Sequence, residues 1–315
     1  MPKYFFATTE NAHAQITGLF DFVWPTAAAM WNLRWQVNGY LQVVPGATVE
    51  QLRARFTEGA DINGANFHRA CVEHTWDQQK ESFASILLVN SIASFEGWVD
   101  EVLAGLGKNT NALNTALQFP DSTATGGKGA AWAIGEIVKI ESGELKTAFY
   151  PNLCRGRYYS FAKLEAMLLC YRFFKELRNC SMHGGGIANQ RLIDAYSHFS
   201  GVASTAGLGV KEVPAHSVPT IRTHTRLSLR GVVGFTGILF KIIATLDAEL
   251  SRSKLSERVF VEKWRAANPH KQMLSSVQKK RAMQIKKLAD NAGFPEPSDA
   301  HKFGNWLNDL RLSQF

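Results

Sequence analysis

The chain has few cysteines, and their spacing excludes the common cysteine-based scaffolds. Its 315 residues include four cysteines, none of them in a C-x-x-C pair and none beside a histidine at zinc-finger spacing. A structural zinc site or a disulfide framework is therefore not expected. The sequence predicts a protein that works without a metal or a cofactor, in a reducing, cytoplasmic setting.

Long hydrophobic runs are also lacking. Asp21 and Pro25 interrupt the only N-terminal candidate for a secretion signal. Segment 232–246 is apolar but short, and it contains Lys241. Because a membrane-spanning helix needs about 20 apolar residues, this segment is predicted to be a buried helix. We expect no association with a membrane.

Two glycine-rich motifs lack the partners that their usual chemistry requires. His-Gly-Gly-Gly at residues 183–186 matches the oxyanion motif of lipases, but the chain has no G-x-S-x-G nucleophile elbow. Gly-Gly-Lys-Gly at residues 126–129 hints at a phosphate-binding loop. Ser122 and Gly129, however, stand where a P-loop has its first glycine and its Ser or Thr. We interpret the first motif as a flexible loop and the second as a linker.

Basic charge is concentrated at the C-terminal end of the chain. The net charge is +8; residues 1–251 contain 22 Lys and Arg against 21 Asp and Glu, whereas residues 252–315 contain 13 against 6. A basic segment of this kind suits a polyanion such as RNA, although a solvated helical surface has the same composition. The candidate RNA-binding residues on one predicted helix are Lys279, Lys280, Arg281, Lys286 and Lys287.

Helical periodicity runs through almost every long segment, which predicts an all-α protein. A small hairpin is the one exception, predicted at residues 218–222 and 226–230. We divide the chain into an N-terminal helical region (1–75), a helical bundle (76–251) and a basic helical region (252–315). Helices are predicted at residues 10–37, 48–57, 66–106 with a break near His74 and Thr75, 130–142, 160–183, 187–200, 230–251, 255–267, 271–292 and 299–311.

The most informative stretch is Arg-Asn-Cys-Ser-Met-His at residues 178–183, where the predicted helix 160–183 ends. Asn179 and His183 are four residues apart and share one helical stripe, and Arg178 lies about 100° from Asn179. The three side chains can therefore open onto one cleft edge, with Gly184 suited to a left-handed stop. Arginine can hold a phosphate, and histidine can transfer a proton at neutral pH.

Metal-free cleavage of RNA needs few groups beyond these. A base removes the 2′-hydroxyl proton, the 2′-oxygen attacks phosphorus, a cation stabilises the added charge, and an acid protonates the leaving 5′-oxygen. One motif supplies one histidine, so two motifs facing each other across a dimer would supply both the base and the acid. In the alternative interpretation, Arg178 and His183 are ordinary helix-end residues that cap the last carbonyl groups.

This Arg-Asn-x-x-x-His motif resembles the R-x(4–6)-H signature of the HEPN ribonucleases. Segment 90–96 (Asn-Ser-Ile-Ala-Ser-Phe-Glu) is similar to the first long helix of that family, and the resemblance covers roughly residues 76–210. It implies a HEPN-like helical bundle with additional flanking helices, a homodimer with a composite site, and metal-independent endoribonuclease activity in a toxin–antitoxin or anti-phage system. It also implies roles for Arg178 in phosphate binding, His183 in proton transfer and Asn179 in orienting them.

Other ionisable groups and other functions stay open. Glu96 is a candidate active-site acid, a buried partner for Arg178, or an exposed helix residue. His68 and His74 flank Glu73, but the spacing is not H-E-x-x-H and favours surface charge over a metal site. The alternative to a ribonuclease is a helical nucleic-acid-binding protein with a degenerate motif, or a regulatory protein that senses a phage or a defence-system partner such as an antitoxin.

Overall fold

The computed structural model describes residues 3–122 and 127–315, and 67% of it is helical. The predicted all-α class is therefore confirmed. Gly126, the first residue of the predicted linker, lies outside the described residues. The helices are α1 (Ala7–Val43), α2 (Val49–Thr57), α3 (Trp76–Gly105), α4 (Asn111–Leu117), α5 (Ala130–Ile137), α6 (Gly143–Ala148), α7 (Tyr150–Cys154), α8 (Leu164–His183), α9 (Gln190–Ser200), α10 (Thr205–Leu208), α11 (Leu229–Ser251), α12 (Ser256–Ala267), α13 (Gln278–Asn291) and α14 (Ala300–Asp309), with a π-helical turn at Arg69–Glu73 and a 3-10 turn at Phe161–Lys163.

Four long helices, α1, α3, α8 and α11, form the central bundle. Every residue of α11 except Arg230 is buried or partly buried, because α1, α3 and α8 all pack against it. The Leu227 amide, just before α11, donates to the Glu81 carboxylate near the start of α3 at 2.9 Å, so these two helices begin at the same end of the bundle.

The other two bundle helices, α1 and α8, run in the opposite direction. The Trp98 indole donates to Thr9 Oγ1 at 2.9 Å, which places the start of α1 beside the end of α3. The Ser160 amide, just before α8, donates to Thr245 Oγ1 near the end of α11 at 2.9 Å. The C-terminal end of α8 therefore lies where α3 and α11 begin, and this end of the bundle carries the Arg-Asn-x-x-x-His motif.

Local sequence signals explain where α3 and α11 begin. Thr75 Oγ1 accepts from the Gln78 amide at 3.2 Å, and Gln78 Oε1 accepts from the Thr75 amide at 2.8 Å. This reciprocal capping box starts α3 and confirms the predicted break near His74 and Thr75. Ser228 caps α11 in a similar way, since its hydroxyl accepts from the Gly231 amide at 3.2 Å.

One continuous hydrophobic core holds members of all three regions into which we divided the sequence. It includes Phe5 and Ile16 from residues 1–75, Phe95 from the bundle, and Trp264 and Phe303 from residues 252–315. A second, small cluster at the far end of α1 contains Val37, Leu52 and Cys71. The C-terminal helices therefore contribute to the same core as the bundle.

The C-terminal helices pack at the end of the bundle that is opposite the motif. The Ser298 amide donates to the Ala148 carbonyl at 2.8 Å, and the rings of Phe149 and Phe294 stack with their centroids 5.2 Å apart. Segment 148–154 lies beside the end of α11, because Tyr150 donates to the Glu249 carboxylate at 2.7 Å. Since α11 has 23 residues, these contacts lie about 34 Å from its start.

Two local predictions were wrong. The predicted hairpin at residues 218–230 does not form; most of that segment is a loop, and α11 begins at Leu229. The predicted helix 271–292 begins only at Gln278, because residues 272–273 form strand β1 (Gln272–Met273), which pairs in parallel with β2 (Ser313–Gln314). The partner of β1 is 41 residues away along the chain, which periodicity in a local window cannot detect.

A close backbone contact explains why the last residue of the glycine-rich linker, Gly129, is a glycine. A β-carbon on Gly129 would lie 2.2 Å from the Pro120 carbonyl carbon, so no other residue fits without displacing the backbone. The adjacent Ala130 amide donates to the Phe119 carbonyl at 2.8 Å. The described part of this stretch, residues 127–129, thus leads into α5 and has a packing role.

Two helices are long and apolar enough to cross a membrane by length and composition alone. These are α3 and α11, and 44% and 56% of their most apolar windows are buried. Both helices pack at the centre of the bundle, as core helices of globular proteins do. Segment 232–246 accordingly lies inside a buried helix, as predicted.

Asp247, near the end of α11, gives the first testable prediction. Its buried carboxylate accepts from the Phe5 and Phe6 amides at 2.8 and 3.1 Å, and burial raises its pKa from 3.8 to about 6. A raised pKa means that this group's contribution to stability is fully present below about pH 4 and is lost as the pH rises through about 6. Relative to Asp247→Asn, the natural protein should gain about 2 kcal/mol between pH 7 and pH 4.

Urea unfolding of both proteins at pH 4, 5, 6 and 7 measures this effect. The two chains share every other titrating group, so those contributions cancel in the difference between them. A difference in unfolding free energy that stays constant with pH, or that shrinks on acidification, would contradict the raised pKa.

Candidate active site

A glycine turn ends α8 and leaves His183 exposed to solvent. The Gly184 and Gly186 amides both donate to the Cys180 carbonyl at 3.0 Å. Gly185 and Gly186 have φ angles of 60° and 78°, a left-handed conformation that glycine adopts without strain. Gly184 itself has a φ of −107°, so the left-handed stop predicted there occurs one residue later. His183, immediately before the turn, is exposed.

Arg178 points toward α3, where it meets Glu96. Its guanidinium lies 3.2 Å from Glu96 Oε2, and the Lys175 ammonium lies 2.8 Å from Glu96 Oε1. The Tyr171 hydroxyl donates to the same carboxylate at 3.4 Å. Of the three interpretations of Glu96, the structure therefore supports the partner of Arg178. Two cations share one carboxylate, so the cluster keeps an excess positive charge.

The Arg178 side chain is confined within this cluster. It is 19% exposed, and its buried Nε has no hydrogen-bond partner among the described residues. An unsatisfied buried donor costs about 1–3 kcal/mol. Lys175 is held further by Gln118, whose Oε1 accepts from its ammonium at 3.0 Å. Arg178 is thus positioned by α3 and not by the other residues of its own motif.

Asn179 belongs to a different face of α8. Its amide nitrogen lies 3.4 Å from Glu176 Oε2, and the buried Glu176 pairs with Arg172 at 2.8 Å. Arg172, Glu176, Asn179 and His183 follow a four-three-four spacing and therefore share one stripe. No side-chain hydrogen bond links Arg178, Asn179 and His183 among the described residues. The structure does not bring all three side chains to one cleft edge: Asn179 and His183 share that stripe, whereas Arg178 is turned toward α3.

Arg172, on the stripe of α8 that ends at His183, lines a basic groove against α9. The groove has a volume of about 400 Å³ and is closed on one side by the segment around Phe119. Phe173 in the middle of α8 stacks on Phe199 near the end of α9, and only residues 184–189 join the two helices, so α9 runs back along α8 and its start lies near the motif. The charged and histidine residues that line the groove are Lys128, Arg172, Arg191, Asp194 and His198.

Arg191 is the most available cation of this groove. It is exposed in the first turn of α9 and has no carboxylate partner in the described part of the chain. Arg172, in contrast, pairs with Glu176 and covers the Phe119 ring at 4.8 Å. Sequence reasoning did not single out Arg172 or Arg191. The spacing of Arg172 from Glu176 and Asn179 was the available signal, but it becomes informative only once α9 is placed beside it.

The basic helix α13 lies away from the motif. Lys279, Lys280 and Lys287 are exposed, whereas Lys286 pairs with Glu296 and Arg281 covers the Phe315 ring at 3.9 Å. The helix belongs to the C-terminal group at the opposite end of α11. Within one protomer, the predicted RNA-binding residues and the predicted catalytic residues are therefore not brought together.

His68 and Glu73, which the sequence analysis considered as a metal site or as surface charge, form an ion pair on the surface. His68 Nδ1 lies 2.9 Å from Glu73 Oε1, and both side chains are exposed to solvent. Residues 3–122 and 127–315 contain no group of three or more His, Cys, Asp or Glu side chains that could hold a metal ion. Surface charge is accordingly the role that the geometry supports for His68 and Glu73.

Comparisons with known proteins add no assignment to this geometry. No protein-family model, curated protein or solved structure matches the chain. The features of the molecule that bear on function are the motif, its place at an exposed helix end, and the charged groups around it.

Removing the shared carboxylate should show how strongly the ion-pair cluster holds α8 to α3. Glu96→Ala leaves Lys175 and Arg178 partly buried without a counter-charge, and we expect the free energy of unfolding to fall by about 1–3 kcal/mol. Glu101→Ala on the same helix is the control, since Glu101 is exposed and should matter by less than about 0.5 kcal/mol. Chemical denaturation at neutral pH measures both, and equal effects would contradict the importance of the cluster.

Proposed function

We propose that the protein is a metal-independent endoribonuclease of the HEPN type, acting in the cytoplasm as a toxin or an anti-phage effector. One observation carries the proposal: His183 of the Arg-Asn-x-x-x-His motif is exposed at the end of a bundle helix, on the same stripe as Arg172, which lines a basic groove. An exposed histidine to transfer protons and cationic side chains to hold the phosphate are the minimum equipment for cleaving a phosphodiester with the 2′-hydroxyl as nucleophile.

Each motif residue has a defined part in this reaction. His183 transfers a proton to or from the ribose oxygens. Arg178, whose cluster with Lys175 and Glu96 holds an excess positive charge, attracts the scissile phosphate and stabilises the charge that develops on it. Asn179 links the motif to Glu176 and orients the last turns of α8. The products are a 2′,3′-cyclic phosphate and a 5′-hydroxyl.

A second proton-transfer group is needed to complete the reaction. A homodimer in which two copies of the motif face each other is one source of it, as the family resemblance implies. Met182 and Ile187, the large apolar side chains on either side of the glycine turn, are 52% and 43% exposed and are available to such an interface. An antitoxin or another defence-system protein that covers this end of the bundle would restrain the activity.

The groove between α8 and α9 is the RNA-binding surface favoured by its position. Phosphate groups bound by Arg191 and Lys128 would lie along the stripe that leads to His183, whereas α13 is separated from it by the length of the bundle. Binding to the RNA backbone by such cations does not depend on base sequence.

A second candidate function is a nucleic-acid-binding or regulatory protein without cleavage. The ion pair between Arg178 and Glu96 favours it, because a guanidinium already paired with a carboxylate binds phosphate less strongly. RNA binding without cleavage over a range of RNAs would support this candidate, and activity that requires another component would indicate a regulated effector.

Cleavage of RNA in EDTA tests the proposed function. The purified protein should cut single-stranded RNA and leave a 2′,3′-cyclic phosphate end, detected by its conversion to a monophosphate with a cyclic-phosphate-opening enzyme. His183→Ala and Arg178→Ala should each slow cleavage by about 100-fold or more, because loss of an acid–base or charge-stabilising group has effects of this size.

His270→Ala is the matched control, since His270 is an exposed histidine in the C-terminal region, away from the motif. It should leave the rate unchanged, and thermal unfolding should show that all variants keep their fold. Full activity in either His183→Ala or Arg178→Ala would contradict the proposal.

Charge reversal in the groove distinguishes the two possible RNA-binding surfaces. In a His183→Ala background, which keeps the RNA intact, Arg191→Glu should weaken binding of a single-stranded RNA 12-mer about tenfold. Glutamate is favourable in the first turn of a helix, so α9 should not be destabilised. Lys279→Glu on α13 is the control, and a loss there as large as that for Arg191→Glu would identify α13 as the RNA-binding surface instead.

A further inference from the structure

A second exposed histidine lies beside the glycine turn that follows His183. The Thr225 amide donates to the Gly186 carbonyl at 2.7 Å, and the Ala188 amide donates to the Thr223 carbonyl at 2.9 Å. These bonds hold the loop before α11 against the turn after α8. They place His224, between the two bonded threonines, directly opposite Ile187 in an isolated antiparallel bridge.

The imidazole of His224 points toward the turn. Its Nδ1 lies 3.5 Å from the position that a β-carbon on Gly186 would occupy. Three peptide units separate Gly186 from His183, so their α-carbons are at most about 11 Å apart. The turn is tighter than that limit, because the Gly184 and Gly186 amides share the Cys180 carbonyl as acceptor. An exposed histidine thus stands at the start of the turn, His183, and another lies beside it on the neighbouring loop, His224.

The loop that carries His224 is under local strain. Arg222, two residues earlier, has a φ of 61°, a left-handed conformation that costs a non-glycine residue free energy. The Arg222 amide donates to the Ala188 carbonyl at 2.9 Å, so the strained conformation is held by the pairing of the loop with residues 186–188. The Arg222 side chain is exposed and adds a cation to the same surface. Strain of this kind is retained where the surrounding structure enforces a particular arrangement.

We propose that His224 is the second proton-transfer residue of the site, so that one protomer supplies both the base and the acid. This inference rests on the proposed ribonuclease function. One imidazole removes the 2′-hydroxyl proton as the bond between O2′ and phosphorus forms. The other donates a proton to O5′ as the bond between phosphorus and O5′ breaks. The proton count is balanced, and no metal or other co-reactant is needed.

This arrangement differs from a composite dimer in one measurable respect. If the second imidazole came from His183 of another copy, removal of His224 would leave the acid–base pair intact. If both imidazoles belong to one protomer, removal of either should have a similar effect. A pair of copies can still form, but the acid–base chemistry does not depend on it.

The test compares His224→Ala with His183→Ala in the full-length protein. We expect each to slow cleavage of RNA in EDTA by about 100-fold or more, with His270→Ala as the exposed-histidine control. The substrate is then replaced by one with sulfur in place of the 5′-bridging oxygen, whose thiolate leaving group needs no protonation. The variant that lacks the general acid should recover most of its rate on this substrate, and the variant that lacks the base should not.

Recovery in one of the two variants is a result that a purely structural role for His224 would not produce. A His224→Ala variant that cleaves within about threefold of the natural protein, or a failure of the sulfur substrate to restore either variant, would overturn the assignment. If the natural protein cleaves no RNA in EDTA, the proposed function fails and the role of His224 fails with it. If it cleaves, requires His183 and ignores His224, only the present inference fails.

Discussion

The burial of α11 is the constraint on which the rest of the arrangement depends. Because nearly all of its surface is covered, helices must pack on every side of it, and α1, α3 and α8 do so over most of its length. Leu227, just before its first turn, is tied to Glu81 of α3, and the loop that precedes it is tied to the turn after α8. The same helix therefore fixes the position in space of the C-terminal end of α8 and of the loop that contacts it. Both histidines of the proposed site, His183 and His224, take their positions from it.

Charge is distributed so that the two ends of the bundle differ. At one end, the single negative charge of Glu96 is shared by two cations of α8, Lys175 and Arg178. The groove beside α9 adds Arg191, which has no carboxylate partner among the described residues. At the other end, α13 exposes several lysines, but Lys286 is neutralised by Glu296 and Arg281 lies on an aromatic ring. A polyanion that approaches the motif thus meets cations held by the bundle itself. The excess basic charge of the C-terminal region faces a different part of the surface.

Most of the fold follows from local patterns. Helical periodicity predicted the long helices, and Thr75 and Gln78 mark the start of α3 by a capping box that is visible in the sequence. The two wrong predictions fall where the bonded partners are distant along the chain. Strand β1 pairs with residues 41 positions away. The loop before α11 pairs with the turn after α8 and does not form a hairpin of its own. For the site, the motif and its helix end were predictable, and so was Glu96 as a candidate partner of Arg178. The separation of Arg178 from Asn179 and His183 was not, because it depends on which helix each face of α8 contacts.

The sequence by itself determined that this is an all-helical chain whose Arg-Asn-x-x-x-His motif ends an amphipathic helix in a glycine turn, since spacing and glycine content are local properties. Only the tertiary structure decided what stands around that turn. Because α9 runs back along α8, Arg191 lies in the groove. The basic helix α13 packs at the end of the bundle opposite the motif. The backbone bonds between residues 186–188 and 222–225 placed His224 beside Gly186. The physical reason is that hydrogen bonds and helix contacts between distant segments depend on how the whole core packs, which no local spacing records.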